Sequence, residues 1–599
     1  MYSHSDDSHL ATEGSHSHNA LLALSAETQK LGPVGRIVEP ACYDSDSEES
    51  HAATLGSHAY TIIKNDHLAP PVDTKRGVDF WLVFVANLTV DLLSALDLTA
   101  VSTALPTIVH QLNGIDFIWV GSAYTIASTA VLPLIGGLVS VFGRKPVLLI
   151  FIALFALGSA ICGSSWSMNM LISGRAIQGF GGGGCIAITE IIYADIVPLP
   201  ERGKFQGITA SVWAFACAIG PPIGGALANS GAKWRWLFFL NLPVTALAAF
   251  LVYFFLHVFT PKASLREKVL RMDWIGLIVI ISGTLSVSIA LTLAGVRFPW
   301  SSAHILAPLT LGLLAIAFFF VVESRWAKEP TVPPFLLSNR TSLSGYIGTF
   351  FHGILSMAVI FYLPLYFQAS KLASPIRSGI DLFGIAFIVP TFAIGTGLSV
   401  QLISRYRPQN YIGWALTVIG TGLLSLLNAD SSTAMLFGFQ VLVGAGLGIV
   451  WISTQFPILA PLPYSNNAHA LAFFTFTRCF AQTWGTVIGG TILQNSLQSR
   501  LPPSFIATLP QGTQLAYSII PLISSLTEPL KTQVRVAFAE SAQLIWRVMI
   551  GISLAGLLSC GLMREVEMRT DMDETWALRE TGRSEVDPEI RQMEREVVE

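Results

Sequence analysis

Three ionisable residues stand inside long apolar runs of this chain, namely Asp91, Asp97 and Arg175. Charged side chains at membrane depth are costly, so each is a candidate for function. An arginine keeps its proton whereas an aspartate can exchange one, so such a pair could work as a proton switch. At ~1.5 Å per residue, Arg175 lies at a membrane depth between those of the two aspartates. The aspartates lie on different faces of their helix, because a separation of six residues turns the helix by about 600°. A static ion pair between two helices is the alternative.

Further candidates lie in the second half of the chain. Arg478 is flanked by aromatic residues, and it could contact an anionic or polar substrate group or extend to a membrane interface. We expect His352 to be a structural histidine and Asp195 to lie near loop cations, whereas Glu190 is a candidate either for function or for the same anchoring. Aromatic side chains could line an adaptable cavity, although packing in the core is the alternative for each. The residues predicted as possible substrate contacts are Asp91, Trp213, Tyr362, Trp451, Arg478 and Trp484.

The composition requires these residues to be positioned by membrane helices. The chain has 599 residues, of which 52% are hydrophobic and only 12% are charged, against roughly 25% charged in soluble proteins. The net charge of −3 offers no basic field for nucleic acid. The six cysteines form no C-x-x-C pair, so neither a metal site nor a redox motif is predicted.

Apolar runs long enough to span a bilayer follow one another from residue 79 onward. We therefore predict an all-α polytopic membrane protein with fourteen transmembrane helices. The predicted segments are 79–104, 117–139, 147–164, 169–194, 206–228, 236–257, 274–295, 304–322, 344–367, 379–403, 411–427, 434–459, 470–493 and 543–563.

The distribution of Lys and Arg predicts the orientation. With the amino terminus inside, thirteen cations fall in short cytoplasmic loops and five in short outer loops, which favours two cytoplasmic termini. Residues 77–563 form the predicted membrane domain, with a long outer loop at 495–541. Residues 1–76 are polar and histidine-rich and are predicted to be a disordered cytoplasmic tail without a signal peptide. Residues 564–599 are predicted to be a second cytoplasmic tail.

Glycine-rich stretches mark three places of close approach. A short cationic loop contains Gly137, Ser140, Gly143, Arg144 and Lys145, and it joins two apolar runs tightly. Residues 179–184 match G-x-G-x-x-G, but with no preceding strand they indicate close helix packing rather than a dinucleotide site. A third stretch, Gly220, Pro221, Pro222, Gly224 and Gly225, predicts a bending helix at a packing surface.

In this order, these motifs resemble those of the major facilitator superfamily, and specifically its fourteen-helix drug:proton antiporter family in fungi. The similarity covers roughly 78–563. It rests on the cationic loop, on Leu171 to Gly179 around Arg175, on the Gly220 motif, on Leu96 to Thr99 with Ala104 to Pro106, and on Trp234 to Trp236 with Asn241 to Pro243. The resemblance implies two six-helix halves with two helices inserted between them, proton transfer through Arg175, an antiporter motif at Gly220, and an inner gate at the loop.

One position departs from that family. Ser140 stands where the loop motif usually carries an aspartate. A serine carries no charge, so we expect a weaker inner latch, or one rebuilt with Glu190 or Asp195 as the acid for Arg144.

The resulting hypothesis is proton-coupled efflux of drugs, toxins or secondary metabolites by alternating access, with Asp97 and Arg175 as the coupling pair. The expected partners are a small-molecule substrate, protons and the lipid bilayer, with no nucleic acid, no cofactor besides the proton gradient, and a monomeric chain in the plasma membrane. The alternatives are a vacuolar or plasma-membrane carrier of siderophores, sugars or basic amino acids, a non-transporting sensor on the same fold, and a membrane enzyme. The enzyme is disfavoured because no catalytic cluster is visible in the long outer loop.

Overall fold

The computed structural model describes residues 76–112, 118–228, 231–258, 264–295, 297–327, 329–508 and 515–568. The chain divides into Met1–Lys75 and Arg76–Glu599, and all described residues belong to the second unit. The predicted tail at 1–76 therefore lies almost wholly outside the described residues, as does the tail at 564–599 beyond residue 568.

The described residues form helices joined by short connections, with a single isolated β-bridge between Ala294 and Phe298. The prediction of an all-helical membrane protein is confirmed over this part of the chain. We number the long helices α1 Val78–Leu112, α2 Ile118–Phe142, α3 Arg144–Gly163, α4 Met168–Ile196, α5 Leu199–Ala228, α6 Asn241–Phe255, α7 Trp274–Leu293, α8 Ala303–Arg325, α9 Arg340–Ser370, α10 Phe383–Ile403, α11 Arg407–Leu424, α12 Thr433–Ser453, α13 Asn467–Arg500 and α14 Leu530–Ser559.

Several of these helices begin at a side chain that accepts a hydrogen bond from the first turn. Ser167 caps α4 through the amide of Met170, and Asp273 caps α7 through the amide of Gly276. The same arrangement starts α9 at Asn339. Such caps satisfy amides that have no partner inside the helix, so local sequence defines these starts.

Within the described residues, ten helices are long and apolar enough to cross a membrane. The predicted segments all coincide with helices, but α4, α5, α11 and α13 do not meet that apolarity criterion. The reason for α4 and α13 is visible in their burial. Both carry charged side chains and many glycine or small residues. Most of α4 is buried against other helices, and so is the first part of α13, from Asn467 to Arg478.

The connection between α13 and α14 is shorter than predicted. The helices reach Arg500 and begin again at Leu530, so helical residues extend into the predicted loop at 495–541 from both ends. Hydropathy marks only the apolar part of a helix, whereas backbone hydrogen bonding continues into polar residues beyond it. Between them lies a helix at Leu515–Ile523 that packs against α13 and α9.

The helices pack as two groups of six joined along a seam. In the first group α4 packs against α2 and α3, and α1 packs against α5 and α6. In the second group α9 packs against α13 and α14, and α12 packs against α10 and α11. The groups meet where α5 contacts α10 and where α2 contacts α13, and the α7–α8 pair lies against α2 and α13 at that seam.

The glycines of α4 allow the tightest of these contacts. A Cβ on Gly179 would lie 2.2 Å from the backbone oxygen of Tyr124, and one on Gly183 would lie 2.4 Å from that of Ser128. On the next face, a Cβ on Gly181 would lie 2.4 Å from the backbone nitrogen of Phe155. The run at 179–184 is therefore a helix-packing surface toward α2 and α3, as predicted.

Candidate functional site

Asp97 and Arg175 form a buried ion pair between α1 and α4. The Arg175 Nη1 group donates to Asp97 Oδ2, and the two side chains are 0% and 1% exposed. Arg175 also donates from Nη1 to Gln178 Oε1 at 2.7 Å and from Nε to the backbone oxygen of Val120 at 3.0 Å. The arginine therefore links α1, α2 and α4 through one guanidinium.

The other Asp97 oxygen is held by two amides. Asp97 Oδ1 accepts from Gln178 Nε2 at 2.8 Å and from Asn241 Nδ2 at 3.1 Å. Gln178 Nε2 also donates to Ser159 Oγ at 2.9 Å, which ties α3 to the same network. Gln178 and Asn241 were not among the predicted site residues, although both lie within the motifs that carry the family resemblance. Gln178 follows Arg175 by three residues and lies on the same helix face.

Aromatic rings cover the guanidinium. The Arg175 Cζ atom lies 4.5 Å from the centroid of the Tyr124 ring and 5.9 Å from that of Phe238. Cation–π contact of this kind stabilises a desolvated arginine. The guanidinium, the two amides and the rings together compensate the burial of the Asp97 carboxylate in this conformation.

Asp91 occupies a different environment from Asp97, as the helical rotation between them requires. Its Oδ1 accepts from Thr189 Oγ1 at 3.2 Å, and its Oδ2 is buried without a hydrogen-bond partner in the described structure. Arg175 thus pairs with Asp97, the aspartate named with it in the predicted coupling pair, rather than with Asp91.

The cationic loop turns sharply at Gly143, whose φ of 90° favours glycine. Directly after it, Arg144 Nε lies 2.8 Å from Asp195 Oδ2, and both side chains are buried. Lys145 Nζ lies 5.2 Å from the centroid of the Tyr253 ring. The acid opposite Arg144 is therefore Asp195, at the end of α4.

Ser140 and Gly137 lie on the neighbouring turn of α2. Ser140 Oγ donates to the backbone oxygen of Gly136 at 2.8 Å and lies 3.4 Å from His469 Nε2 of α13. The other ring nitrogen of His469 lies 2.8 Å from the backbone oxygen of Thr331. A Cβ on Gly137 would lie 3.6 Å from the Met272 side chain, an ordinary contact. His469, from the second helix group, thus lies beside Ser140, the position where the family resemblance predicts an aspartate.

The two helix groups approach closely at this same end of the molecule. A Cβ on Gly203 of α5 would lie 2.5 Å from the Cα atom of Gly397 of α10, and a Cβ on Gly136 would lie 3.0 Å from the Cα atom of His469. The end that carries the cationic loop is therefore closed by backbone-to-backbone contact in this conformation.

The motif on α5 packs against the first helix. A Cβ on Gly220 would lie 2.1 Å from Thr99 Oγ1, and Thr99 Oγ1 donates to the backbone oxygen of Ala216 at 3.3 Å. Thr99 follows Asp97 by two residues, so this motif supports the helix that carries the carboxylate. Gly224 is buried, and the α-helix continues through Pro221 and Pro222. The side-chain surroundings of Pro221, Pro222 and Gly225 lie outside the described features.

Only some of the predicted substrate contacts come together. Arg478 Nη2 donates to the backbone oxygen of Trp451 at 3.0 Å, and its Cζ atom lies 4.1 Å from the centroid of that indole ring. Trp484 stands farther along α13, where its ring meets that of Phe480 at 6.3 Å. Trp213 is half-buried on α5.

Tyr362 is buried between α9 and α13. Its hydroxyl donates to the backbone oxygen of Thr486, and the residue is 3% exposed against Gly489. His352 is also buried, and its Nε2 lies 3.1 Å from the backbone oxygen of Leu447. In the described residues no three His, Cys, Asp or Glu side chains converge as metal ligands.

The family model described as Major Facilitator Superfamily matches residues 89–486, a stretch that contains both members of the buried ion pair. The chain belongs to the major facilitator superfamily. Membership of this transporter family indicates a multi-pass membrane carrier of small molecules rather than an enzyme.

Curated relatives extend the comparison over most of the transporter. The efflux pump FUS6 of Gibberella fujikuroi is 37% identical over 519 residues, which cover 85% of this chain and 93% of the relative. The MFS-type efflux pump LUC4 of a Fusarium species is 36% identical and covers 86% and 93%. The Acurin A biosynthesis cluster MFS-type transporter of Aspergillus aculeatus is 34% identical and covers 85% and 93%.

Solved structures show the same fold. The proton:xylose symporter XylE aligns with a TM-score of 0.52 at 14% identity, covering 82% of this chain and 97% of the symporter. The human organic anion transporter MFSD10 aligns with a TM-score of 0.52 at 14% identity and covers 81% and 100%. At this identity the likeness concerns the fold alone.

Proposed function

We propose that this transporter exports small organic molecules, such as secondary metabolites, in exchange for protons. The observation that carries the proposal is the buried Asp97–Arg175 pair, which offers a proton-exchanging carboxylate held by a cation that keeps its own proton. A relative named an efflux pump matches 85% of this chain, which supports export as the direction of transport.

The proposed architecture is the fourteen-helix form, in which α1 to α14 each cross the membrane. Four of these helices are too polar for an isolated span, yet α4 buries most of its length, and α13 its first part, inside the helix groups. The count of loop cations supports cytoplasmic termini. In this orientation the closed end, with Arg144 and Asp195, faces the cytoplasm.

The proposed transport cycle is alternating access. Rocking of one helix group against the other opens the contacts between Gly203 and Gly397 and between Gly136 and His469. Protonation of Asp97 from the outer side weakens its attraction to Arg175, because a neutral carboxyl group no longer attracts the guanidinium as an ion. The same event loosens the junction of α1 and α4, which couples the proton to the helix movement.

The experiment is carried out in a strain of the source organism from which the gene has been deleted. Metabolites inside and outside the cells are measured by mass spectrometry, with and without a wild-type copy fused to a fluorescent protein. We expect at least one metabolite to accumulate inside deleted cells and to be exported again by the wild-type copy at the plasma membrane. A protonophore is expected to abolish that export.

The alternatives predict other results. A vacuolar carrier would appear on the vacuolar membrane, and an importer would leave a compound in the medium of deleted cells. A sensor would change gene expression without moving any compound in isolated vesicles. Unchanged metabolite distribution in the deleted strain would overturn the proposal.

A further inference from the structure

Arg478 is a buried cation whose charge lacks a close counter-ion. The residue is 8% exposed on α13, and no carboxylate of the described residues lies within the 4.0 Å of an ion pair with it. Its Nη2 donates to a backbone oxygen, while its Nε is buried without a hydrogen-bond partner. A buried guanidinium in such a position is costly unless another group supplies negative charge.

Two aromatic rings cover this cation. Its Cζ atom lies 4.1 Å from the Trp451 ring centroid and 4.4 Å from that of Phe474. The rings stabilise the guanidinium, and they surround it with apolar surface. That surface favours an organic molecule over a small, strongly hydrated inorganic ion.

The surroundings of Arg478 come from both helix groups. Glu190 of α4 is the acid whose charge acts on it most directly, and the carboxylate of Glu190 accepts from Gln206 Nε2 of α5 at 2.7 Å. Gln455, just after α12, is 1% exposed, and its side-chain amide lies beside the Glu190 carboxylate. Buried polar groups of α4, α5 and α13, and of the segment just after α12, therefore gather where the two helix groups meet.

We propose that Arg478 binds an acidic group of the transported molecule, so that the substrate is an organic acid ionised at neutral pH with an apolar body. This inference rests on the proposed export function. The planar guanidinium matches a carboxylate, an enolate or a similar pair of oxygens. The Gln455 amide supplies a neutral contact, and the rings of Trp451 and Phe474 hold the apolar part.

Glu190 then competes with the substrate. Glu190 faces Arg478 from the other helix group, although the two are not in ion-pair contact in the described structure. An arriving anion supplies a nearer partner for the guanidinium. Removal of the Glu190 charge should therefore tighten substrate binding and leave binding of a neutral analogue unchanged.

The test uses the full-length protein and a compound identified by its export. Metabolites that depend on the wild-type copy in the deleted strain are first identified by mass spectrometry. Binding of one such compound and of its methyl ester is then measured by equilibrium dialysis on purified wild-type, Arg478→Gln, Arg478→Lys and Glu190→Gln proteins. Arg500→Gln is the matched control, because it changes an arginine at the far, more exposed end of the same helix.

We expect every dependent metabolite to carry an acid that is ionised at pH 7. Wild-type protein should bind the acid at least about 30-fold more tightly than its ester. This factor corresponds to the lower end of the affinity loss seen when one partner of a buried charge pair is removed. Arg478→Gln should lose that preference, Arg478→Lys should retain part of it, and Arg500→Gln should keep it. If Arg478→Gln fails to fold, Arg478→Lys provides the test. A preference for the acid weaker than in wild type supports the inference, and an unchanged preference contradicts it.

Two results would overturn the inference while leaving export intact. One is a set of dependent metabolites without any ionised acid. The other is a folded Arg478→Gln protein that binds the acid as tightly as wild type. If no metabolite depends on the transporter, the proposed function itself fails, and this inference fails with it.

Discussion

Neutralisation of Asp97 and Arg175, singly and together, separates proton coupling from structural support. Both side chains are almost fully buried, at 0% and 1% exposure. Asp97→Asn leaves the guanidinium without its counter-ion, and Arg175→Gln leaves the carboxylate without its cation. Breaking a buried pair in this way costs about 3–5 kcal/mol. At ~1.4 kcal/mol per tenfold, the ratio of folded to unfolded protein should fall by roughly two to four orders of magnitude.

The double variant should recover most of that loss. With both charges removed, the new amides still lie beside Gln178 and Asn241, which can donate and accept hydrogen bonds. We expect stability within about 1–2 kcal/mol of wild type, since replacement of both partners leaves no buried charge. Proton-driven transport should nevertheless be lost in Asp97→Asn and in the double variant, because neither contains the proton-exchanging carboxylate.

Stability is measured as the thermal unfolding of purified protein in detergent, and transport as efflux of the identified metabolite from vesicles under a pH gradient. The control is double neutralisation of the Arg500–Glu540 pair, which is 37% and 45% exposed and should change stability by less than about 1 kcal/mol. A stable Asp97→Asn/Arg175→Gln variant that transports normally would show that the pair only supports the structure. Single variants as stable as wild type would refute the energetic reasoning.

Three further predictions concern packing and the closed end. Gly183→Val should sharply reduce the amount of folded protein seen by fluorescence-detected size exclusion, because even its Cβ would lie 2.4 Å from a backbone oxygen of α2. The control is Gly438→Ala, which has open space around it and should leave the amount of folded protein unchanged. Arg144→Gln should impair vesicle transport and leave Asp195 without its ion pair; normal transport would make the loop a topological anchor. Ser140→Asp should transport normally or close the inner end more firmly, as measured by cysteine accessibility across the seam, and a more open inner end would contradict this.

Much of the helical architecture could be predicted from sequence. Spans depend on hydrophobic length, which is a local property, and the predicted segments coincide with α1 to α14. Helix ends were harder to predict, as the connection between Arg500 and Leu530 shows, because helices continue beyond their apolar portion. The prediction of close helix packing at 179–184 also succeeded, since small residues repeated in an apolar span have few other uses.

Part of the candidate site around Asp97 and Arg175 could be predicted from the sequence. Ionisable residues are rare in apolar segments, so Asp91, Asp97 and Arg175 were selected before any contact was known. Sequence also restricted the acid for Arg144 to two residues, Glu190 and Asp195. Polar but uncharged members such as Gln178 carry a weaker signal, since an amide within a helix is common and its partners are distant in sequence.

By itself, the sequence determined that this protein is a helical membrane transporter with a small set of buried charges. Only the tertiary structure showed that Arg175 contacts the predicted Asp97 and not Asp91, that Asp195 meets Arg144, and that Tyr362 is buried against Gly489. The physical reason is distance along the chain. Hydrophobic length and helix rotation follow from neighbouring residues, whereas the partner of a buried charge depends on which faces of remote helices pack together.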